Sequence, residues 1–397
     1  MRYRLIAVAA SCLSAVLTAG VLRPRYGGML RVETSATGEI GATRFAGQIY
    51  ETLVRCDSHG EMKPWLATGW IHNASVGKWI FSARKNVVLP HETLWNPGED
   101  TLTVPDTKPL DQILVEAGLG DKVVVESGPF RILNQHVGES VQLGANESYW
   151  GGRPFLDFVE IHMGRTRRDQ LLDFELGKAD VVEAEITDIK ALKQANVVLQ
   201  VSKPLETVAL VFEKQTSSLT RQAVALSVDR LAMQRVMLDK QGEVSGALLP
   251  QWISGYAFLF STAHDVSRAK ALAPAGSTLL LCEDDRDKVL RSLADRIAVD
   301  VSQAGINVRL ATSGCEARLI RLPISSVNPQ QALLALASKL QIAAPEWASP
   351  YAMESDLLRD GRVVPLFHLP IVYALKPNVR NWSVPCNLAD VWLEETR

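Results

Sequence analysis

Histidines are the first side chains to test for chemistry, and the seven in this chain, His59, His72, His91, His136, His162, His264 and His368, form no H-x-x-x-H pair. His91 opens "HETLW", which starts like the zinc template H-E-x-x-H but fails at its last position. No G-x-S-x-G elbow positions a nucleophilic serine, and neither a P-loop nor G-x-G-x-x-G offers a phosphate cradle. The residues therefore point away from catalysis. Cys56, Cys282, Cys315 and Cys386 lie too far apart for a C-x2-C metal site. In an oxidising compartment these four allow three disulfide pairings, and buried free cysteines in strands are the other reading.

The elements around these residues begin with "MRYRLIAVAASCLSAVLTAG", where Arg2 and Arg4 precede an apolar run from Leu5 to Ala19. A charged start followed by a run shorter than a membrane span is the pattern of a secretory signal, expected to end at residue 20. Cys12 as a lipid-anchored cysteine is disfavoured, because "AASC" lacks the usual leucine and the apolar run continues past it. The whole chain has 42 basic against 44 acidic residues, so no electrostatic footprint for nucleic acid is present. At 397 residues and 47% hydrophobic content, two or three domains with their own cores are expected.

Strand and helix signals alternate along the chain. "GGMLRVETS" alternates Leu30 and Val32 as a strand does, and "GATRFAGQIYETLVRCD" spaces Phe45, Ile49, Tyr50 and Leu53 as an amphipathic helix. A small β-rich region with Trp65, Trp70 and Trp79 follows, and residues 90–127 are irregular. Phe130 and Ile132, then Val141 and Leu143 across Gly138, predict a hairpin. "TRRDQLLDFELGKADVVEA" predicts a helix with Leu171, Leu172 and Leu176 inward and Gly177 as its stop, then a strand at Asp180 to Val182. "SSLTRQAVALSVDRLAMQRVML" predicts two short helices, Asp229 capping the second and Gly242 ending it. From "STLLLCED" to "GINVRL" the pattern is strand, helix, strand, with Val289, Leu293, Ile297 and Val301 on the helix's inner face.

Six stretches in order resemble the family 5 extracellular solute-binding proteins, the peptide-binding components of bacterial import systems. They are "IYETLVRCDSHGEMKPWLATGW", "SGPFRI", "NESYWGGRPFLDFVEI", "LTRQAVALSVDRLAMQRVML", "IAVDVSQAGINVRL" and "VVPLFHLPIVYALKPNV". The resemblance implies an α/β, two-lobe periplasmic-binding-protein fold, type II and cluster C-like, with a reduced extra subdomain. It divides the chain into a signal peptide at 1–20, lobe I from 21–45, 128–206 and 363–397, a small subdomain at 46–127, and lobe II at 207–362. It implies an extracytoplasmic protein, not an enzyme and without a cofactor, that captures short peptides or similar small polar solutes by hinge closure. Its expected partner is the membrane permease of an ABC importer, and it is expected to act as a monomer. The alternative is a sensor or scaffold of the same fold.

In "ESYWGGRP" the resemblance makes Tyr149 and Trp150 scaffold aromatics and Gly151-Gly152 a turn. By position it suggests Glu39, Ile40, Trp252, Phe367 and His368 as ligand contacts. The chain also departs from the family. Residues 85–127 are short, and "RLPISSVNPQQALLAL" puts Ser325 where the family's ammonium-binding Asp stands and Asn328-Pro329 at its Asp-Pro. A serine supplies no charge, which weakens amine binding by roughly 1.5 to 3 kcal/mol. Glu213 ends "ALVFE" where the family commonly has Asn, and is the candidate replacement carboxylate.

Overall fold

The computed structural model describes residues 23–40, 43–51, 53–56, 62–84, 95–96, 101–106, 127–256, 260–284, 287–324, 326–343, 349–384 and 387–394. Its strands before residue 130 are β1 (Met29–Glu33), β2 (Val54–Cys56), β3 (Met62–Pro64), β4 (Ala67–Asn73), β5 (Lys78–Ala83), β6 (Trp95–Asn96) and β7 (Thr101–Pro105). Then come β8 (Phe130–His136), β9 (Ser140–Ala145), β10 (Phe158–His162), β11 (Val181–Ala184), β12 (Val198–Phe212) and β13 (Glu243–Val244). The last are β14 (Thr278–Cys282), β15 (Asn307–Leu310), β16 (Ala317–Pro323), β17 (Val363–Leu375), β18 (Val379–Arg380) and β19 (Trp392–Leu393).

Eleven of these strands form one mixed sheet in the order β15-β14-β16-β12-β17-β11-β1-β10-β9-β8, with β13 beside β17. β1 runs parallel to β10 and β11, and β14 runs parallel to β15 and β16. The antiparallel pair β12 and β17 lies between these two parallel groups and belongs to both. Val372–Leu375 of β17 pair with β11 on one edge and with Val198–Val201 of β12 on the other. Farther along, Glu206–Phe212 of β12 pair with β16. Every residue of β17 is buried, as expected of a central strand covered on both faces.

Alternation along β12 sorts its side chains into separate cores. Val208, Leu210 and Phe212 join Leu281, Leu293, Ile297 and Leu366 on one face, while Ala209 and Val211 join Leu333, Leu336, Met353 and Leu357 on the other. A further core, holding Leu30, Val32, Phe130, Val159, Ile161 and Trp382, fills the β1 side of the sheet. Between the cores, Pro204 stands opposite Pro370, with register shifts on both sides of Pro204. Proline gives no N–H to a ladder, so the cross-strand bonding is interrupted where the pair passes from one core to the next.

The strand–helix–strand unit is present as β14, the helix Lys288–Gln303 and β15, and Val289, Leu293, Ile297 and Val301 are all buried. The hairpin of β8 and β9 and the two short helices Ser218–Ser227 and Arg230–Val236, the second capped by Asp229, also form as predicted. Three local expectations differ. The helix expected across Phe45 to Leu53 is only a 3-10 turn, Ala46–Gln48. Phe45, Ile49 and Leu53 are buried as their spacing suggests, but the backbone there bonds outward, Gly128 N–H to the Ile49 carbonyl at 2.9 Å and Glu51 N–H to Ser127 Oγ at 3.1 Å. On the helix Arg167–Glu175 the buried positions are Gln170 and Phe174, Leu171 packs partly buried beside Phe174 as expected, and Leu172 and Leu176 are exposed. Gln170 faces inward because its Oε1 accepts the Glu183 N–H at 2.8 Å and its Nε2 donates to the Arg165 carbonyl at 3.0 Å. Gly242 lies beyond the helix it was expected to end, against the His368 carbonyl. Of the four cysteines, Cys282 and Cys315 form a disulfide joining the end of β14 to the approach to β16. Cys386 and the Cys12 segment lie outside the described residues.

The aromatic turn has a defined task. Tyr149 Oη and Trp150 Nε1 each donate to one oxygen of Glu51, both at 2.6 Å, and Glu51 is buried. Trp65 meets Trp150 edge-on at 5.0 Å, and the Arg84 guanidinium lies 4.0 Å over the Trp150 ring. The turn thus fastens the antiparallel β4-β5-β7-β6 sheet region to the main body. Gly152 has φ +98°, and a Cβ on Gly151 would lie 2.6 Å from the Tyr149 ring, so both positions need glycine. Replacing Glu51 by alanine leaves two partly buried donors without their acceptor and should cost roughly 2 to 4 kcal/mol. Urea unfolding should show this as a lower midpoint with an unchanged slope, and an unmoved midpoint would remove Glu51 from this role.

Candidate functional site

A cavity of about 790 Å³ is lined from both parallel groups of the sheet. From the β1 side come Ser35 to Thr37 after β1, Gly164 to Arg167 after β10, and Glu185 after β11. From the β14 side come Cys282 to Asp284, Asp287 and the β16 residues Arg318 to Pro323. Loops after the carboxyl ends of parallel strands are where open α/β sheets receive ligands.

A buried network of charges adjoins the cavity and contributes Arg167, Glu185, Glu206, Asp287 and Arg321 to its lining. Glu183, fully buried on β11, accepts from Thr34 Oγ1 at 2.8 Å, from Ser35 N–H at 2.9 Å and from Ser35 Oγ at 2.7 Å. Arg44 stands 3.6 Å away and Arg167 3.2 Å away. Burial pushes the Glu183 carboxyl up, but Arg167, Arg44 and the Ser35 bonds outweigh it and hold it at about 2. Arg167 then faces Glu185 Oε1 at 3.3 Å, and the other oxygen of Glu185 takes Arg321 Nη1 at 3.1 Å. Arg321 also donates to Glu206 Oε2 from Nε at 2.8 Å, places Nη2 2.6 Å from the same oxygen, and lies 3.4 Å from Asp287 Oδ2. The result is a string of alternating charge, Arg44–Glu183–Arg167–Glu185–Arg321, ending on Glu206 and Asp287.

Each member is positioned by an element end. Glu183 and Glu185 bracket Ala184 at the end of β11, Arg167 opens a helix capped by Thr166, and Arg321 lies on β16. Asp287 serves twice: its Oδ1 caps the helix Lys288–Gln303 by accepting Val289 N–H at 2.9 Å and Leu290 N–H at 3.0 Å, while Oδ2 faces Arg321. Burial disfavours the charged form of Arg321, yet Glu206, Glu185 and Asp287 outweigh it and raise its pKa further.

None of the seven positions suggested by sequence lines this cavity among the described residues. Glu39 is exposed beyond Thr37, and Ile40 is packed in the β1-side core. Glu213 reaches the cavity edge only through Arg318, which it meets at 2.7 Å. Trp252 donates from Nε1 to the Pro204 carbonyl at 2.9 Å, with the Lys203 ammonium 5.0 Å over its ring, so it braces the interrupted part of β12. Phe367 is wholly buried in the core. His368 is buried against the Ala247 carbonyl at 2.9 Å, and desolvation drives its pKa down to about 4, so it stays neutral there. Ser325 lies outside the described residues. The neighbouring Asn328 caps the helix Pro329–Lys339, its Oδ1 accepting the Gln331 N–H at 3.1 Å.

Sequence reading passed over Arg167, Glu183, Glu185, Glu206 and Arg321. The available signal was charge inside apolar runs, as in "VVEAE", "PLETVALVF" and "ARLIRLP", because a charged side chain in a central strand must be paired when buried.

Glu183 gives this network a pH signature. Its folded pKa, about 2, lies below the ordinary 4.5, so its stabilisation is complete above pH 4.5 and is lost as pH falls toward 2. Glu183→Gln should cost about 3 kcal/mol at neutral pH and progressively less across that window. Chemical denaturation of both proteins at stepped pH checks this, and a pH-independent difference would mean that packing rather than charge is lost.

A profile of bacterial extracellular solute-binding proteins, family 5 Middle, matches residues 105–349. The nickel-binding periplasmic protein of Escherichia coli K12 is 21% identical over 341 residues, covering 66% of this chain and 65% of that protein. The oligopeptide-binding protein AppA of Bacillus subtilis is 26% identical over 137 residues, covering 33% of this chain and 25% of AppA. The chain thus aligns with less than two thirds of the length of either relative. Among solved structures, NikA from Staphylococcus aureus, in complex with Ni(L-His)2, superposes with TM-score 0.74 at 13% identity, over 92% of this chain and 100% of NikA. DppA from Helicobacter pylori, in complex with the peptide STSA, gives 0.71 at 18% identity, over 94% and 99%. The fold is accordingly the two-lobe α/β architecture expected from the resemblance, and the profile, matching more than half of the residues, shows that the chain belongs to the family 5 bacterial extracellular solute-binding proteins.

Proposed function

We propose that this protein is the extracytoplasmic solute-binding component of an ABC importer. It captures a short peptide or a similar small polar solute in the cavity and delivers it to a membrane permease, acting as a monomer and without catalysis. The observation carrying this reading is the cavity itself, lined from both parallel groups of a sheet whose two long strands meet at the facing pair Pro204 and Pro370. The division proposed is lobe I at 21–45, 128–206 and 363–397, lobe II at 207–362 and a small subdomain at 46–127. The interrupted ladder is then the hinge, and a solute touching both lobes favours closure by its differential affinity for the closed state. Residues 1–20 are proposed as the export signal. The nickel complex and peptide held by the two similar structures support a small polar solute for this chain too.

A second reading keeps the fold as a sensor or scaffold. It is favoured by one observation, that Arg165, Arg167, Arg318 and Arg321 of the cavity wall all lie against carboxylates of the chain itself. Thermal unfolding of residues 21–397 against di- to pentapeptides, amino acids, sugars and metal chelates separates the two. A solute bound only by the folded state raises the melting temperature by mass action, by about 2.7 kcal/mol of stability at one hundred times Kd. Such a rise with one solute class is the expected result. A folded protein whose melting temperature no member of the panel moves would favour the sensor or scaffold.

A further inference from the structure

Arg321 stands apart from the other cavity arginines. Its side chain is only 10% exposed, and the partners Glu185 and Glu206 are 9% and 8% exposed. Its guanidinium meets three carboxylates on three different elements: Glu185 following β11, Glu206 on β12 and Asp287 at the cap of the helix Lys288–Gln303. Each of those carboxylates lines the cavity, so Arg321 sits where a solute's cationic group would otherwise be drawn. Nε, Nη1 and Nη2 are all engaged at 3.4 Å or less.

We propose that Arg321 is the specificity-determining residue of this cavity, an internal cation that plugs the carboxylate nest of Glu185, Glu206 and Asp287. The cavity therefore rejects ammonium and guanidinium groups at its floor and takes solutes presenting a neutral or anionic group there. This selectivity rests on the solute-binding reading above; the plug itself does not. Two further consequences follow from the geometry. An incoming cation would face the Arg321 charge at close range, where low dielectric makes like-charge contact costly. Removing the guanidinium alone would leave buried carboxylates uncompensated, which is the expensive way to break an ion pair and turns the nest into a vacant cation site.

The test uses the full mature chain as wild type and Arg321→Ala, with methylguanidinium chloride as probe and sodium chloride at equal ionic strength as control. Arg321→Ala should melt several degrees lower than wild type, recover much of that loss with methylguanidinium but not with sodium chloride, and bind the probe by calorimetry. Wild type should not respond. Adding Glu206→Gln to Arg321→Ala should weaken the recovery at least tenfold in probe concentration. If Arg321→Ala does not fold, Arg321→Met with Glu185→Gln, Glu206→Gln and Asp287→Asn removes the nest's charges together. A folded variant of this kind supports the nest, and one that stays unfolded shows that uncompensated charge is not what Arg321 relieves and overturns it. Recovery that is absent, or equal in wild type, also overturns the plug. The solute panel distinguishes the remaining case: a silent panel with full methylguanidinium recovery retires the transport reading and leaves the plug standing. A cationic solute bound more tightly by wild type than by Arg321→Ala does the reverse.

Discussion

The contact between Glu185 and Arg321 is the constraint around which the cavity is arranged. Glu185 directly follows a strand of the β1-side group, Arg321 lies on a strand of the β14-side group, and both are nearly buried. Neither charge is tolerable there alone, because an ion held away from water costs several kcal/mol unless a partner and hydrogen bonds compensate it. The compensation cannot be local. Glu185 must share itself between Arg167 and Arg321, Arg167 between Glu185 and Glu183, and Glu183 between Arg167, Arg44 and two residues following β1. One buried pair at the cavity floor thus fixes the positions of loops after β1, β10 and β11 together.

The same strands that carry the charges also carry the cores. Glu206 lies on β12 beside Leu205, Val208 and Leu210, so the register that sorts β12 between its cores also aims the carboxylate at Arg321. Slipping a strand by one residue would turn every side chain to the opposite face, moving apolar groups out of the core and the carboxylate away from its partner. Hydrophobic burial along β12 and β17 and the ion pairing at the floor therefore specify one register. The cross-strand ladder is interrupted at Pro204 and Pro370, which is where the proposed hinge lies.

The periodic part of this architecture was legible in the sequence. The helix Lys288–Gln303 follows from four apolar residues at four-residue steps, and "YWGGRP" is the scaffold turn that the resemblance implies. Periodicity failed where the backbone bonds outward instead of along itself, as around Ile49, and where a polar side chain faces inward, as Gln170 does to hold Glu183. The site was less legible because its members are far apart in sequence, and each looks like an ordinary surface charge until strand order brings it beside the others. In "ARLIRLPISSVNP" the resemblance points to the acid missing at Ser325, whereas the buried ion pair belongs to the arginine four residues earlier.

An internal cation differs from a bound one in its concentration. Arg321 is attached to β16 and cannot diffuse away, so a free solute cation competes with a group whose effective concentration is in the millimolar range or higher even for a flexible tether. On a strand held by cross-strand bonds to β12 the backbone end of the tether is fixed, so only the rotamers of the side chain itself remain to be ordered on pairing. A solute cation that matched the guanidinium contact for contact would still also lose its own translational freedom, a cost of at least 4 kcal/mol by common estimates. Displacement is therefore unfavourable even for a close mimic of the side chain. In the proposed solute-binding role, recognition would then come from groups that add to the string of charges instead of replacing a member of it.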